Sequence, residues 1–214
     1  MIAPYYQDSA VTIYHGDCRE VLPTLPKVDF VLTDPPYGIG YNREEEPQSK
    51  HVFSHRGQVA SVVGDNEAFD PSPWVRGPFI LWGANNYASR LPDSLIWLCW
   101  DKVTRNGLDL RIGECEFAAT NCVGRTRVFR YLWSGGYREG EHGVFVHPTQ
   151  KPVALMTWCL SLPGVPSGIV LDPYCGSGPT LRAAKDLGRK AIGIEIEERY
   201  CETAARRCSQ EVLL

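Results

Sequence analysis

The sequence predicts an α/β fold built on a mainly parallel sheet, and three observations carry that expectation. Strand-length apolar runs alternate with helical segments at both ends of the chain. The run 28–33 (VDFVLT) is almost continuously apolar, as suits a strand covered on both faces. Runs of this kind stop abruptly at polar turns, one at Asp34-Pro-Pro-Tyr37 and another at Asp172-Pro-Tyr-Cys-Gly176.

The elements follow in order. A strand is expected over 11–15, then a short helix over 18–25 that stops before Pro26. After the 28–33 strand, residues 38–64 are polar and charged and read as a long loop. Strands are expected over 79–82 and 95–100. Weaker strands over 116–120 and 128–133 read as an antiparallel pair at the sheet edge, before a turn at Ser134-Gly-Gly136. A helix is expected over 151–162, with Pro152 in its first turn. A strand over 169–171 leads to a helix over 179–187, with Pro179 at its start and Gly188 past its end. A strand over 190–194 ends at Glu195, and the last helix covers 197–209.

With 214 residues, a single domain over 1–214 is expected, large enough to bury a core without disulfides or metal. The eight cysteines form no CxxC pair, which argues against a zinc site and for small buried thiols. The first residues lack the basic and apolar regions of a secretion signal, and no run is long enough to span a membrane. A cytoplasmic protein is therefore expected. The net charge of −3 gives no global attraction to nucleic acid, so such contact must come from a local patch. Residues 102–138 supply one: Lys102, Arg105, Arg111, Arg125, Arg127, Arg130 and Arg138 outnumber Asp109, Glu114 and Glu116.

Two segments carry chemistry. In the first, a strand runs into Asp172-Pro-Tyr-Cys-Gly-Ser-Gly178 and then a helix. The glycines allow a ligand close to the backbone, and the helix start offers free N–H groups. Glu195 ends the next strand, 17 residues past Gly178, where an acidic side chain can hold ribose hydroxyls. A dinucleotide fingerprint is absent, because Leu181 stands at the third glycine position, and no GK[ST] follows. This loop resembles the cofactor loop of S-adenosylmethionine-dependent methyltransferases. The resemblance implies that Asp172, Tyr174, Gly176, Gly178 and Thr180 border the methionine part and that Glu195 holds the ribose. Cys175 is not placed as a nucleophile.

The second segment, Asp34-Pro35-Pro36-Tyr37, puts a stiff backbone, several acceptors and a flat ring at the end of a strand. An aromatic amine is a poor nucleophile because its lone pair is delocalised. Acceptors that bind both of its hydrogens favour a pyramidal nitrogen and stabilise the charge that develops on methylation. The segment resembles the [DNS]PP[YFW] motif of DNA amino-methyltransferases. His147-Pro-Thr-Gln-Lys-Pro152 resembles the family segment that precedes the cofactor loop when the catalytic motif comes first in the chain. That likeness implies cofactor contacts for Thr149 and Lys151, while His147 suits a ligand contact or a structural role. Gly16-Asp17 resembles the position whose carboxylate meets the cofactor adenine. With the family's strand order, a Rossmann-like doubly wound sheet would set the 169–171 and 28–33 strands side by side and bring their carboxyl-end turns together.

The resemblance implies methyl transfer from S-adenosylmethionine to a base flipped out of double-stranded DNA. Within that family an aspartate at the position of Asp34 leans toward N6 of adenine, while serine is more usual for N4 of cytosine. N4 of cytosine is the alternative, and a non-catalytic nucleic-acid-binding scaffold is the reading of another class. Phosphate contacts fall to Lys102, Arg105, Arg125, Arg127 and Arg130. Trp82, Trp97 and Trp100 read as core. Only small inserts, 38–64 and 124–143, are left for reading a sequence. A second copy of the chain and a cognate restriction nuclease are therefore partners to look for.

Overall fold

The computed structural model describes residues 2–40, 62–102, 113–134, 137–140 and 150–211. Most of the expected insert 38–64 and part of 124–143 lie outside them. The strands are β1 (Tyr6–Gln7), β2 (Val11–His15), β3 (Phe30–Thr33), β4 (Phe79–Trp82), β5 (Ile96–Asp101), β6 (Cys115–Thr120), β7 (Arg127–Arg130), β8 (Trp133–Ser134), β9 (Tyr137–Arg138), β10 (Val170–Asp172) and β11 (Ala191–Glu195). The helices are α1 (Cys18–Val21), α2 (Val153–Leu160), α3 (Pro179–Asp186) and α4 (Glu198–Ser209). A 3-10 stretch, Ala84–Arg90, follows β4 and was not expected. Among the described residues no helix is long and apolar enough to cross a membrane.

Nine strands form one sheet in the order β1-β2-β11-β10-β3-β4-β6-β5-β7. The central pairs β2–β11, β11–β10, β10–β3 and β3–β4 are parallel, so the mainly parallel, doubly wound sheet is as expected. β10 and β3 are neighbours although they lie at opposite ends of the sequence. Strand β3 is buried along its whole length. Its Phe30 and Leu32 join one core with Trp82, Trp100, Leu155 and Leu181, while Val31 joins the other with Leu81, Tyr87 and Ile194. The period of two therefore serves two covered faces.

The expected antiparallel pair at the edge is corrected. β6 lies between β4 and β5 and runs antiparallel to both, while β7 runs parallel to β5 at the edge. The burial of the two strands explains it. Ala118, Ala119 and Thr120 are buried, so β6 needs a neighbour on each side, whereas β7 alternates between half-buried and exposed residues, as an edge strand can. Helix α2 also starts later than expected. Pro152 has ψ 143° and is its N-terminal cap rather than part of its first turn. A residue before proline is biased away from helical backbone. Lys151 accordingly precedes the helix.

Candidate active site

The turns after β2, β3, β10 and β11 open into one cavity of about 750 Å³ at the carboxyl ends of the strands. Asp17, Asp34, Tyr37, Tyr174, Gly176, Lys151 and Glu195 all line it. The two segments singled out in the sequence thus share one space.

On the glycine-turn side, the contacts are made mostly by backbone. Gly176 has φ +49°, and its N–H donates to Glu195 Oε2 at 2.8 Å. Glu195 Oε1 accepts the N–H of Glu197 at 2.8 Å. Burial raises the pKa of this carboxyl. Tyr174 packs edge-to-face with Phe69 and Trp74, giving the cavity an aromatic wall. Asp17 caps α1 and pairs with Arg19 at 2.5 Å, and the guanidinium holds its carboxyl below the usual range.

Three residues expected to border the ligand are not among those lining the cavity. Gly178, at φ +78°, caps α3, and a Cβ there would meet the Ala204 Cβ at 2.8 Å, so it serves close packing of α4. Asp172 is buried and accepts from the Thr33 hydroxyl at 2.6 Å, tying β10 to β3. Burial pushes its pKa up to about 6, against the Thr33 hydrogen bond that lowers it. Thr180 is fully buried beside it. Asp172 lies behind the wall because it faces the joint between β10 and β3.

On the other side, the contacts are made by side-chain charge. Asp34 Oδ1 accepts from the Tyr37 hydroxyl, and Lys151 Nζ lies 2.5 Å from Asp34 Oδ2 and 3.2 Å from the Tyr37 oxygen. Lys151 Nζ is also 3.0 Å from Glu116 Oε2, and Glu116 Oε1 is 3.0 Å from Lys102 Nζ. Asp34, Lys151, Glu116 and Lys102 therefore alternate in sign. A charge left unpaired in such a place costs several kcal/mol, so the row holds together only as a whole. Burial raises the Asp34 carboxyl above its ordinary range, although Lys151 opposes it. Burial alone would lower Lys151, but Asp34 and Glu116 raise it and keep it charged. Glu116 is lowered, because Lys151 and Lys102 outweigh its burial. Tyr37 is raised well above its ordinary value by burial and by Asp34, so its hydroxyl stays a donor.

The backbone of this turn is braced by residues the sequence reading missed. Asp65 Oδ1 accepts the N–H groups of Tyr37 at 2.9 Å, Gly38 at 2.9 Å and Ile39 at 3.4 Å. The Tyr37 ring lies on Gly83, where a Cβ would come within 1.9 Å of it. Neither Asp65 nor Glu116 sits in a motif. Only the charge of Glu116 in a buried strand could have drawn notice.

One expectation about cations changes. Lys151, expected at the cofactor, lines the shared cavity and also touches Asp34. Lys102, expected at phosphates, is only 7% exposed and pairs with Glu116, so it is corrected to a member of the internal row. Arg125 and Arg130 are exposed and Arg127 is half-buried, the last two on β7, with Arg130 pairing with Asp101 at 3.5 Å. Arg138 lines the cavity, stacked over Trp133 at 4.5 Å. Arg105, Arg111, His147 and Thr149 lie outside the described residues. Trp82 and Trp100 are buried in the core as expected, and Trp97 is partly buried against Phe117.

Comparison with known proteins gives the same direction. The sequence model of one family, described as DNA methylase, matches residues 92–206. The Type II methyltransferase M.ScaI of Streptomyces caespitosus is 27% identical, over 97% of this chain and 84% of that protein. The crystal structure of the M1.HpyAVI–SAM complex superposes with a TM-score of 0.56 at 24% identity, covering 94% of this chain and all of that one. The structure of the cytosine-N4-specific PvuII DNA methyltransferase gives a TM-score of 0.63 at 16% identity, covering 99% of this chain and 90% of that one. The two structural likenesses concern the fold.

Proposed function

The chain belongs to the N6/N4 DNA methylase family, and from that premise we propose that it transfers the methyl group of S-adenosylmethionine to the N6 amino group of an adenine flipped out of double-stranded DNA. One observation carries the reading. The Asp34 carboxylate after β3 and the Gly176 turn after β10 open into the same cavity.

The residues present fit the cofactor. Glu195 is a buried carboxylate whose hydrogen bonds here come from backbone N–H groups, and its oxygens retain lone pairs for the two ribose hydroxyls. Phe69, Trp74 and Tyr174 offer apolar and aromatic surface, and Asp17 stands at the cavity rim for the adenine amino group. When bound, S-adenosylmethionine supplies an electrophilic methyl group.

The protein's part at the acceptor is positioning and electrostatics. Asp34 accepts a hydrogen from the target amine, and its negative charge stabilises the positive charge that grows on that nitrogen. The raised pKa of Asp34 makes it a better proton acceptor than an ordinary surface carboxylate. Tyr37, fixed on Gly83, lends its ring to the wall against which the base rests. A base inside a duplex cannot reach this depth, so it must be flipped.

The test is direct. Double-stranded DNA from a methylation-free source is incubated with protein and cofactor, hydrolysed, and its nucleosides identified by mass. N6-methyladenine is the expected product. N4-methylcytosine would replace the adenine assignment while keeping the reaction class. Cofactor binding without any transfer would favour a scaffold that only binds nucleic acid.

A further inference from the structure

Asp34 holds two donors. Tyr37 donates to Oδ1, and the Lys151 ammonium stands 2.5 Å from Oδ2. A carboxylate oxygen can accept more than once. Charge, rather than the number of lone pairs, makes the difficulty. An ammonium on Asp34 neutralises the anion that must stabilise a nitrogen turning cationic, and it repels that nitrogen at close range. The two donors differ in their freedom to leave. The Tyr37 ring is pinned on Gly83, whereas Lys151 has a second anion, Glu116 Oε2, 3.0 Å away.

We propose that Lys151 is a displaceable occupant of the amine's place on Asp34, and that Glu116 is the positioning residue that receives it. Lys102 sets the balance, because it shares Glu116 through the other carboxylate oxygen at 3.0 Å. When the target amine docks, its N–H replaces the Lys151 N–H on Asp34 and the ammonium stays paired with Glu116. Lys151 keeps one anion, and Asp34 keeps the Tyr37 hydroxyl and gains the amine N–H in place of the ammonium, so neither group is left without a partner. Without Glu116, displacing Lys151 would strand it. Tyr87 and Asp172 also act electrostatically around Asp34, and Arg138 and Gln150 line the same space, but neither Tyr87 nor Asp172 forms part of the row of paired charges.

The proposal rests on Asp34 being the acceptor of the amine, and the experiment separates the two. Duplexes are made from the sequence that methylation mapping identifies, with either adenine or purine at the target opposite an abasic site, so that neither base breaks a pairing hydrogen bond when it flips. Purine lacks only the amino group. The ratio of their dissociation constants reports what the amine contributes, whereas a general structural defect moves both constants together. In the wild type, adenine binds more tightly than purine. E116Q keeps the shape but removes the receiving charge, so the ratio falls about tenfold, the worth of one charge-assisted hydrogen bond. K102M frees Glu116 to attract Lys151 more strongly, so the ratio rises.

A wild-type ratio of one would overturn Asp34 as amine acceptor. A normal wild-type ratio that E116Q leaves unchanged, or that both variants lower alike, would overturn the role of Glu116. Cofactor affinity reports folding of each variant. Should E116Q fail to bind the cofactor, K102M decides alone, and a ratio that does not rise overturns the proposal.

Discussion

The two sides of the cavity are built by different means. The glycine-turn side takes its polar core from the stretch between β10 and the start of α4, with Asp17, Phe69 and Trp74 added around it, and Glu195 is held there by backbone N–H groups. The Asp34 side draws on residues 34–37, 65, 83, 102, 116 and 151, and is held by alternating charges. A backbone-built site tolerates changes of side chain and fails when a glycine acquires a Cβ. A charge-built site keeps its shape under many backbone changes and fails when one partner is removed, because the rest is left unpaired.

The sharpest way to break this comparison is Asp34→Ala. It removes the acceptor and leaves the glycine turn untouched. Methyl transfer is expected to fall by about three orders of magnitude or more, while cofactor affinity measured by calorimetry stays within about threefold. A parallel loss of cofactor affinity would show that the two sides are one unit.

A pair of glycine variants sharpens it further. At Gly83, φ +70°, a Cβ would press into the Tyr37 ring at 1.9 Å. Gly83→Ala is expected to slow transfer about tenfold to a hundredfold through Tyr37, with cofactor affinity little changed. At Gly178, φ +78°, a Cβ would push on Ala204 at 2.8 Å. Gly178→Ala is expected to lower the melting temperature by several degrees and to weaken cofactor binding, by shifting α4 from the turn. Steady-state kinetics and thermal melts of both variants read the contrast, and identical profiles would dissolve it.

This division also decides what the sequence disclosed. The glycine turn and Asp34-Pro-Pro-Tyr37 are contiguous and stand at strand ends, so both were legible, as was the adjacency of β10 and β3. Glu116 and Asp65 were not. A charge in a strand or a loop declares its role only through partners that the fold brings to it, and Lys102 and Lys151 lie 14 and 35 residues away from Glu116 along the chain. The likeness of its segment implies a cofactor contact for Lys151, whereas its contact with Asp34, made possible because Pro152 keeps it out of the helix, is disclosed by no motif. The resemblance places Asp172 and Thr180 at the methionine part, but both are buried and absent from the cavity lining, which local sequence cannot disclose.

Asp172 offers a smaller effect on the joint between the two sides. Its folded-state pKa is about 6 against an ordinary value of 3.8, so the folded protein holds this proton more tightly than the unfolded chain does. Its contribution to stability is fully present below about pH 4 and is lost as pH rises through about 6. Asp172→Asn keeps an oxygen to accept from Thr33 and removes the titration. The variant is expected to melt a few degrees higher than wild type near pH 8, corresponding to about 1–2 kcal/mol, and to lose the wild type's change in stability between about pH 4 and 6. Thermal melts across that range check the sign, and a lower melting point at pH 8 would mean that the carboxylate is satisfied where it stands.

The smallest expected effect lies outside both sides, on the surface proposed to meet DNA. With Lys102 taken into the internal row, that role passes to β7 and the turn before it. There Arg125 is exposed, Arg127 half-buried and Arg130 already paired with Asp101. Each phosphate neutralised by a protein cation releases a counterion, so losing one contact lowers the magnitude of the slope of log affinity against log salt by about one. Arg127→Ala is expected to weaken binding a few-fold at about 0.1 M salt and to flatten the slope by that amount. Arg130→Ala should do less, because Asp101 offsets its charge. Titrations of a duplex at several salt concentrations give both slopes. If the Arg127 slope matches wild type, β7 is not the phosphate-facing edge, and the exposed Arg125 in the turn before it becomes the next to examine.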